Sequence, residues 1–189
     1  MTESISDIVL IGPVRTGKST LGRLLAQRLG LTQVSVDELR RKYRAEIGYD
    51  EALAKEFRAR GGFLALYLYW NLFDAYTIER VLADHRKCVI DFGAGIYESR
   101  EMFARVQRAL RPYRNVILLL PSPDKAESLR LLTDRDTDPP NDLNFDFNAH
   151  FLDQHSYYDL AKFIVYTRGK TPDETCAEVL ALTGSDQIV

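Results

Sequence analysis

Residues Gly12-Pro13-Val14-Arg15-Thr16-Gly17-Lys18-Ser19-Thr20 carry the spacing G-x-x-x-x-G-K-[ST], and the chemistry open to such a run is the capture of an anion. Gly12 and Gly17 let the backbone wrap tightly enough for the N–H groups around Arg15, Thr16 and Thr20, with a helix N-terminus, to converge on one site. Lys18 can then reach the outer phosphates of a nucleoside triphosphate, and the Ser19 hydroxyl can face Mg²⁺. The flanks supply the setting: Ser6 to Ile11 is a short apolar run that reads as a buried strand, and Leu21 to Ala26 reads as a helix.

Phosphoryl chemistry also needs a carboxylate near the metal and a group to orient the attacking atom. Asp37 follows the run Thr32 to Val36, where it can take a proton from a substrate hydroxyl or cap the helix it opens. Asp91 ends the run Cys88-Val89-Ile90 and can hold a Mg²⁺-bound water, or serve as a turn residue. Arg58 suits an anionic clamp or an ordinary surface. Gly93-Ala94-Gly95 lets a ligand approach the backbone but lacks the third glycine of a dinucleotide fingerprint. His85, His150 and His155 have no metal-ligand spacing, and the later Gly169-Lys170-Thr171 has Ile164 where a second phosphate loop needs glycine.

Five apolar runs, at about Ser6–Ile11, Thr32–Val36, Cys88–Ile90, Asn115–Leu120 and Phe163–Tyr166, alternate with helical segments. That order predicts an α/β domain with a five-stranded parallel sheet and helices on both faces, its ligands at the carboxyl ends of the strands. The helical region after Asp50 is predicted to break at Gly61-Gly62, and its half from Phe63 to Trp70 is apolar nearly all round, which predicts burial against the sheet or a neighbouring subunit. One helix is expected from about Ala149 to Lys162, and the polar, proline-bearing segment Arg135 to Asn144 reads as a mobile loop.

With 189 residues, 46% hydrophobic content and a net charge of −2, one domain spanning 1–189 is expected, with no basic stripe to attract nucleic acid or an anionic membrane. The opening Met1-Thr2-Glu3 leads into no apolar segment, so a cytoplasmic protein is expected. Cys88 and Cys176 form no C-x-x-C unit and read as reduced structural thiols.

Several of these motifs together resemble the shikimate kinase family, a P-loop NTPase branch related to nucleoside monophosphate kinases. The likeness runs through Gly12 to Gly30, Asp37, Phe57-Arg58, Gly93 to Gly95, Tyr157 to Ala161 and Thr167 to Pro172. It implies ATP- and Mg²⁺-dependent transfer of a phosphoryl group to a hydroxyl of a small metabolite. Asp37 would be the substrate-side acid, Arg58 would grip the substrate, Gly93, Ala94 and Gly95 would line its pocket, and Arg168 and Pro172 would belong to the adenine side.

The chain also departs from the family pattern. Ser35 stands where family members carry the metal-side acid, Asp138-Pro139-Pro140-Asn141 where the lid has Arg-Pro-Leu-Leu, and Asp153 where a late arginine is expected. Asp91 can offset Ser35 at the metal, and Arg135 can stack on adenine or stand in for the lid arginine. The expectation is a small-molecule kinase with a lid at about 135–147, a substrate-side helical region at about 37–84 and a neutral or amine-bearing acceptor, acting as a monomer or homodimer. The alternative is a nucleotide-binding sensor or regulatory P-loop protein without kinase activity.

Overall fold

A computed structural model describes residues 5–94, 99–135 and 146–184, the side chains of Ile5 and Ser6 excepted. Its five strands are β1 (Ile5–Ile11), β2 (Thr32–Ser35), β3 (Cys88–Asp91), β4 (Tyr113–Leu120) and β5 (Phe163–Tyr166). They form one sheet in the order β2-β3-β1-β4-β5, with every neighbouring pair parallel. The helices are α1 (Lys18–Leu29), α2 (Val36–Ala45), α3 (Glu51–Asp84), α4 (Arg100–Leu110), α5 (Lys125–Asp134), α6 (Phe147–Asp153), α7 (Ser156–Leu160) and α8 (Pro172–Thr183).

The two-residue period of the strands sorts their side chains onto two cores. Ile8, Leu10, Val89, Ile117, Leu119 and Val165 pack on α1 and α8 through Leu21, Leu25, Cys176 and Val179. Their neighbours Val9, Ile11, Ile90, Val116, Leu118 and Leu120 face α2 to α7, through side chains such as Tyr43, Ile78, Val106 and Phe151. Helices therefore cover both faces, as the apolar runs predict. At the amino edge the buried Asp7 accepts the Cys88 N–H at 2.6 Å, fastening β1 to β3. Burial, with Asp7 beside it, pushes the Cys88 thiol up to about 12, so at neutral pH it is an unreactive core side chain.

Two expectations change. Along α3 the chain does leave helical geometry at Gly61 and Gly62, but the following half is not buried all round. Leu66, Tyr67 and Tyr69 are covered, whereas Leu64, Leu68 and Leu72 are 40%, 47% and 60% exposed. The helix packs on α2 and α4, and a face at four-residue spacing is left outside both contacts. The single late helix is instead two, α6 and α7, because Gln154 takes an extended conformation (φ −84°, ψ 119°) between them.

Helices α2 and α3 are joined by an ion pair. Arg44 of α2 donates from Nη2 to Asp74 Oδ1 of α3 at 2.7 Å, both side chains are buried, and the guanidinium lies over Trp70 and Tyr49. Removing one partner strands the other charge. Arg44→Met is expected to cost about 3–5 kcal/mol in urea unfolding, and Arg44→Met with Asp74→Leu to recover most of it. Equal losses in the single and double variants would contradict this.

Candidate active site

The site begins where β1 ends. Gly12 has φ 152°, and a Cβ there would sit 2.5 Å from the Leu119 carbonyl oxygen of β4, so a side chain is excluded by space as well as by conformation. Arg15 (φ 67°) and Gly17 (φ 93°) complete the wrap. Gly17 is the N-cap of α1, with no side-chain cap and no acidic residue in the first turn, which leaves the positive end of the helix facing the loop. Inside it, Lys18 donates from Nζ to the Gly12 and Pro13 carbonyls at 2.9 and 2.8 Å, and Thr16 Oγ1 donates to Pro13 O at 3.0 Å.

Lys18 is only 6% exposed, and burial lowers its pKa. The charges of Asp91 and Asp37 oppose that shift, while Arg40 adds to it. Asp91 is 2% exposed; its Oδ2 accepts the Ser19 hydroxyl at 2.7 Å and its Oδ1 the Gly93 N–H at 2.9 Å. Ser35 is paired in register with Asp91 across β2 and β3, so both end their strands at the same height. The two-residue period puts Asp91 on the side of Val89, which is the α1 side where Ser19 lies.

Asp37 sits on the other side of Gly93. A Cβ added at Gly93, which has φ 69°, would collide with both Asp37 carboxylate oxygens, so glycine is what lets the acid come this close. Arg40, one helical turn on, holds Asp37 Oδ1 from Nη1 at 3.1 Å, while the Asp37 side chain stays 58% exposed. Helix α2 starts at Val36 with Ser35 at the N-cap position, so Asp37 is not the cap. One edge of the sheet therefore carries a tightly wrapped glycine-bounded loop, a buried carboxylate tied to its serine, and an exposed carboxylate set against a glycine.

With that geometry in view, the shikimate kinase family model matches residues 15–183. The chain belongs to the shikimate kinase family. Over 92% of its length it is 28% identical to 92% of a shikimate kinase of Streptomyces coelicolor, and over 93% it is 27% identical to 90% of one from Geobacter metallireducens. The structure of a shikimate kinase from Acinetobacter baumannii, in complex with shikimate, shares the fold with a TM-score of 0.64 at 20% identity, covering 99% of this chain and 97% of that one. The chain is a small-molecule kinase with a P-loop α/β fold, and its chemistry is ATP-dependent phosphoryl transfer. No helix among the described residues is long and apolar enough to cross a membrane.

The family's other expected positions are spread more widely. Arg135 is brought to the loop: its Nη1 donates to Arg15 O at 3.2 Å, and Arg15 Nη1 donates to Arg135 O at 3.1 Å. Arg58 is not brought to Asp37; it is exposed, with its guanidinium 5.6 Å from the Phe63 ring centroid. Ala94 is half-buried against the core below the site, while Gly95 and the lid positions 136–145 lie outside the described residues. Arg168 and Pro172 reach the same sheet edge. There Arg168 pairs with Glu127, and Pro172 opens α8 behind the Thr171 capping box.

Three contributors escaped the sequence reading. Arg40 was readable as an i,i+3 partner of Asp37. Glu127, which also accepts the Ser122 hydroxyl at 2.6 Å, and Lys125, which pairs with Asp153, meet their partners only through tertiary packing. The Gly93 contact has its own consequence. Gly93→Ala is expected to cost about 1–2 kcal/mol for the left-handed backbone and, by displacing Asp37, to lower kcat by about 100-fold. A melting curve and steady-state ADP release check the two effects, and a variant with unchanged kcat would remove Asp37 from this reading.

Proposed function

We propose that the protein is an ATP- and Mg²⁺-dependent kinase that moves the γ-phosphoryl group to a hydroxyl of a neutral, polyhydroxylated small molecule. Gly12 to Thr20 would cradle the phosphates, with Lys18 on the outer ones. Asp37 would orient the acceptor hydroxyl and take its proton as the O–P bond forms. Arg135 would lie beside the nucleotide, with Arg168 and Pro172 on the adenine side. Gly93 would border the acceptor side, next to Asp37.

Ser19 and Asp91 suit Mg²⁺. They are hard oxygen donors already 2.7 Å apart, and Mg²⁺ ordinarily takes one or two protein oxygens and completes its shell with phosphates and water. Ser35, at the same height on β2, would be a weaker neutral donor. When bound, the ion would neutralise charge on the phosphates.

The acceptor's charge is argued from Asp153. Its carboxylate pairs with Lys125 and so offers no free anion to an amine, while no arginine stands in its place to attract a carboxylate. A neutral acceptor fits both facts. The observation that carries the reading is the Ser19–Asp91 hydrogen bond, with Asp37 held across Gly93 from the same carboxylate.

The test is acceptor-dependent ADP release with Mg·ATP across neutral polyols, amino sugars and shikimate. Stimulation by a neutral polyol is expected; efficient turnover of shikimate at micromolar concentration would sink the acceptor assignment. In the same assay Asp37→Asn should lose about 10²–10⁴-fold in kcat. Asp91→Asn should raise the Mg²⁺ needed for half-maximal rate about 10- to 100-fold, with Ser35→Ala changing it little. The reverse ranking would move the metal to β2.

A further inference from the structure

The opposite, amino edge of the sheet holds a cavity. It opens between the C-terminal end of α4 and the segment joining α7 to β5, has a volume of about 520 Å³, and is lined by Arg108, Arg111, Lys162 and Asp159 around Leu110 and Leu160. Arg111 follows α4 just before β4 begins, and Lys162 immediately precedes β5. The Lys162 N–H donates to Val116 O of β4 at 2.8 Å, which seats the lysine at the amino edge of the sheet. The phosphate loop lies at the carboxyl edge, so the two sites occupy opposite ends of the same strands.

The lining has an unusual balance for a protein whose net charge is −2. Three cations meet one carboxylate. None of the three makes an ion pair or a side-chain hydrogen bond among the described residues, not even with Asp159 in the same wall. Several other basic side chains are engaged, among them Arg28 with Asp173, Arg105 with Glu79 and Lys170 with Glu178; what sets these three apart is that they line one cavity. Beneath the cations, Leu110 and Leu160 are each only 2% exposed, so the surface open to a ligand is mainly polar.

A bland account exists for part of this. Arg108 lies in the last turn of α4 and Arg111 caps it, where cations complement the helix dipole. The dipole does not account for Lys162, which approaches from another element, or for a concave surface of a size that ordinarily takes a small molecule. Two guanidinium forks and an ammonium lining one cavity match the oxygens of a phosphate dianion.

We propose that this cavity is a second ligand site, separate from the kinase centre, that binds a small organic phosphate monoester. The phosphate lies among Arg108, Arg111 and Lys162, its organic group occupies the rest of the cavity, and Asp159 weakens the site by repulsion.

The experiment is calorimetric titration of the full-length protein with phenyl phosphate while Mg·ADP saturates the phosphate loop. The probe is a dianion above its second pKa of about 6. Saturable one-to-one binding with Kd near 1 mM is expected, on the order of −4 kcal/mol. Phenol, which lacks the phosphate, should not bind.

Arg108→Gln with Arg111→Gln should weaken phenyl phosphate at least about tenfold, the scale of one lost charge-assisted contact pair. Asp159→Asn should strengthen it several-fold, a gain that a purely dipole-related role for the arginines does not produce. The proposal is overturned by absent saturation, by unchanged affinity in the folded double variant, by Asp159→Asn leaving affinity equal or lower, or by a single-stranded oligonucleotide competing at the cavity more tightly than phenyl phosphate.

Discussion

Two opposite charges are buried at the carboxyl edge of the sheet, and the rest of the site is arranged around them. Lys18 and Asp91 are 6% and 2% exposed, and neither would be tolerated there alone, because a buried charge without compensation costs several kcal/mol. Burial pulls the Lys18 pKa down, and the largest opposing influence is Asp91. Both also have hydrogen-bond partners: Lys18 the Gly12 and Pro13 carbonyls, Asp91 the Ser19 hydroxyl and the Gly93 N–H. Their backbone supports are β1 and β3, which pair with Leu10 opposite Asp91, so the sheet register sets how the lysine loop and the carboxylate meet.

The two acids of the edge differ in solvation. Asp91 is enclosed and accepts two internal hydrogen bonds, whereas Asp37 keeps most of its side chain in solvent and is steadied by Arg40. Environments that separate two carboxylates in this way suit them to separate tasks. The sheet faces divide the same labour: α1, which carries Ser19, packs on one face, and α2, which carries Asp37, packs on the other. Gly93 lies between them, with its N–H on Asp91 and its Cα side against Asp37.

Features fixed by nearby residues were legible in the sequence. The phosphate loop, the stop of α1 at Gly30 in the left-handed conformation, the break at Gly61-Gly62 and the five strands all follow from local spacing and backbone preference. What sequence could not supply was partnership across the fold. An apolar stretch such as Phe63 to Trp70 does not reveal how many neighbours it will find, and α3 found too few to cover Leu64, Leu68 and Leu72. Asp153 stands where the resemblance expects an arginine, and only packing shows that Lys125 of α5 sits beside it. Arg58 could have pointed into the cleft, but the Phe63 ring, just beyond the glycine break, holds its guanidinium.

The proposed metal position turns on one strand spacing. The family resemblance places an acid at the end of β2, where this chain has Ser35, and the chain has Asp91 instead at the end of β3. Ser35 and Asp91 are register partners, so Asp91 stands about 4.8 Å to the side of Ser35, the distance between adjacent strands, at the same height. On β3 it reaches the Ser19 hydroxyl directly and stands beside β1, from which the loop springs. The ends of β2 and β3 are level in this parallel sheet, but they are not equally far from the N-terminus of α1. An acid on β3 therefore stands one strand nearer the phosphate loop than an acid at position 35 of β2 would.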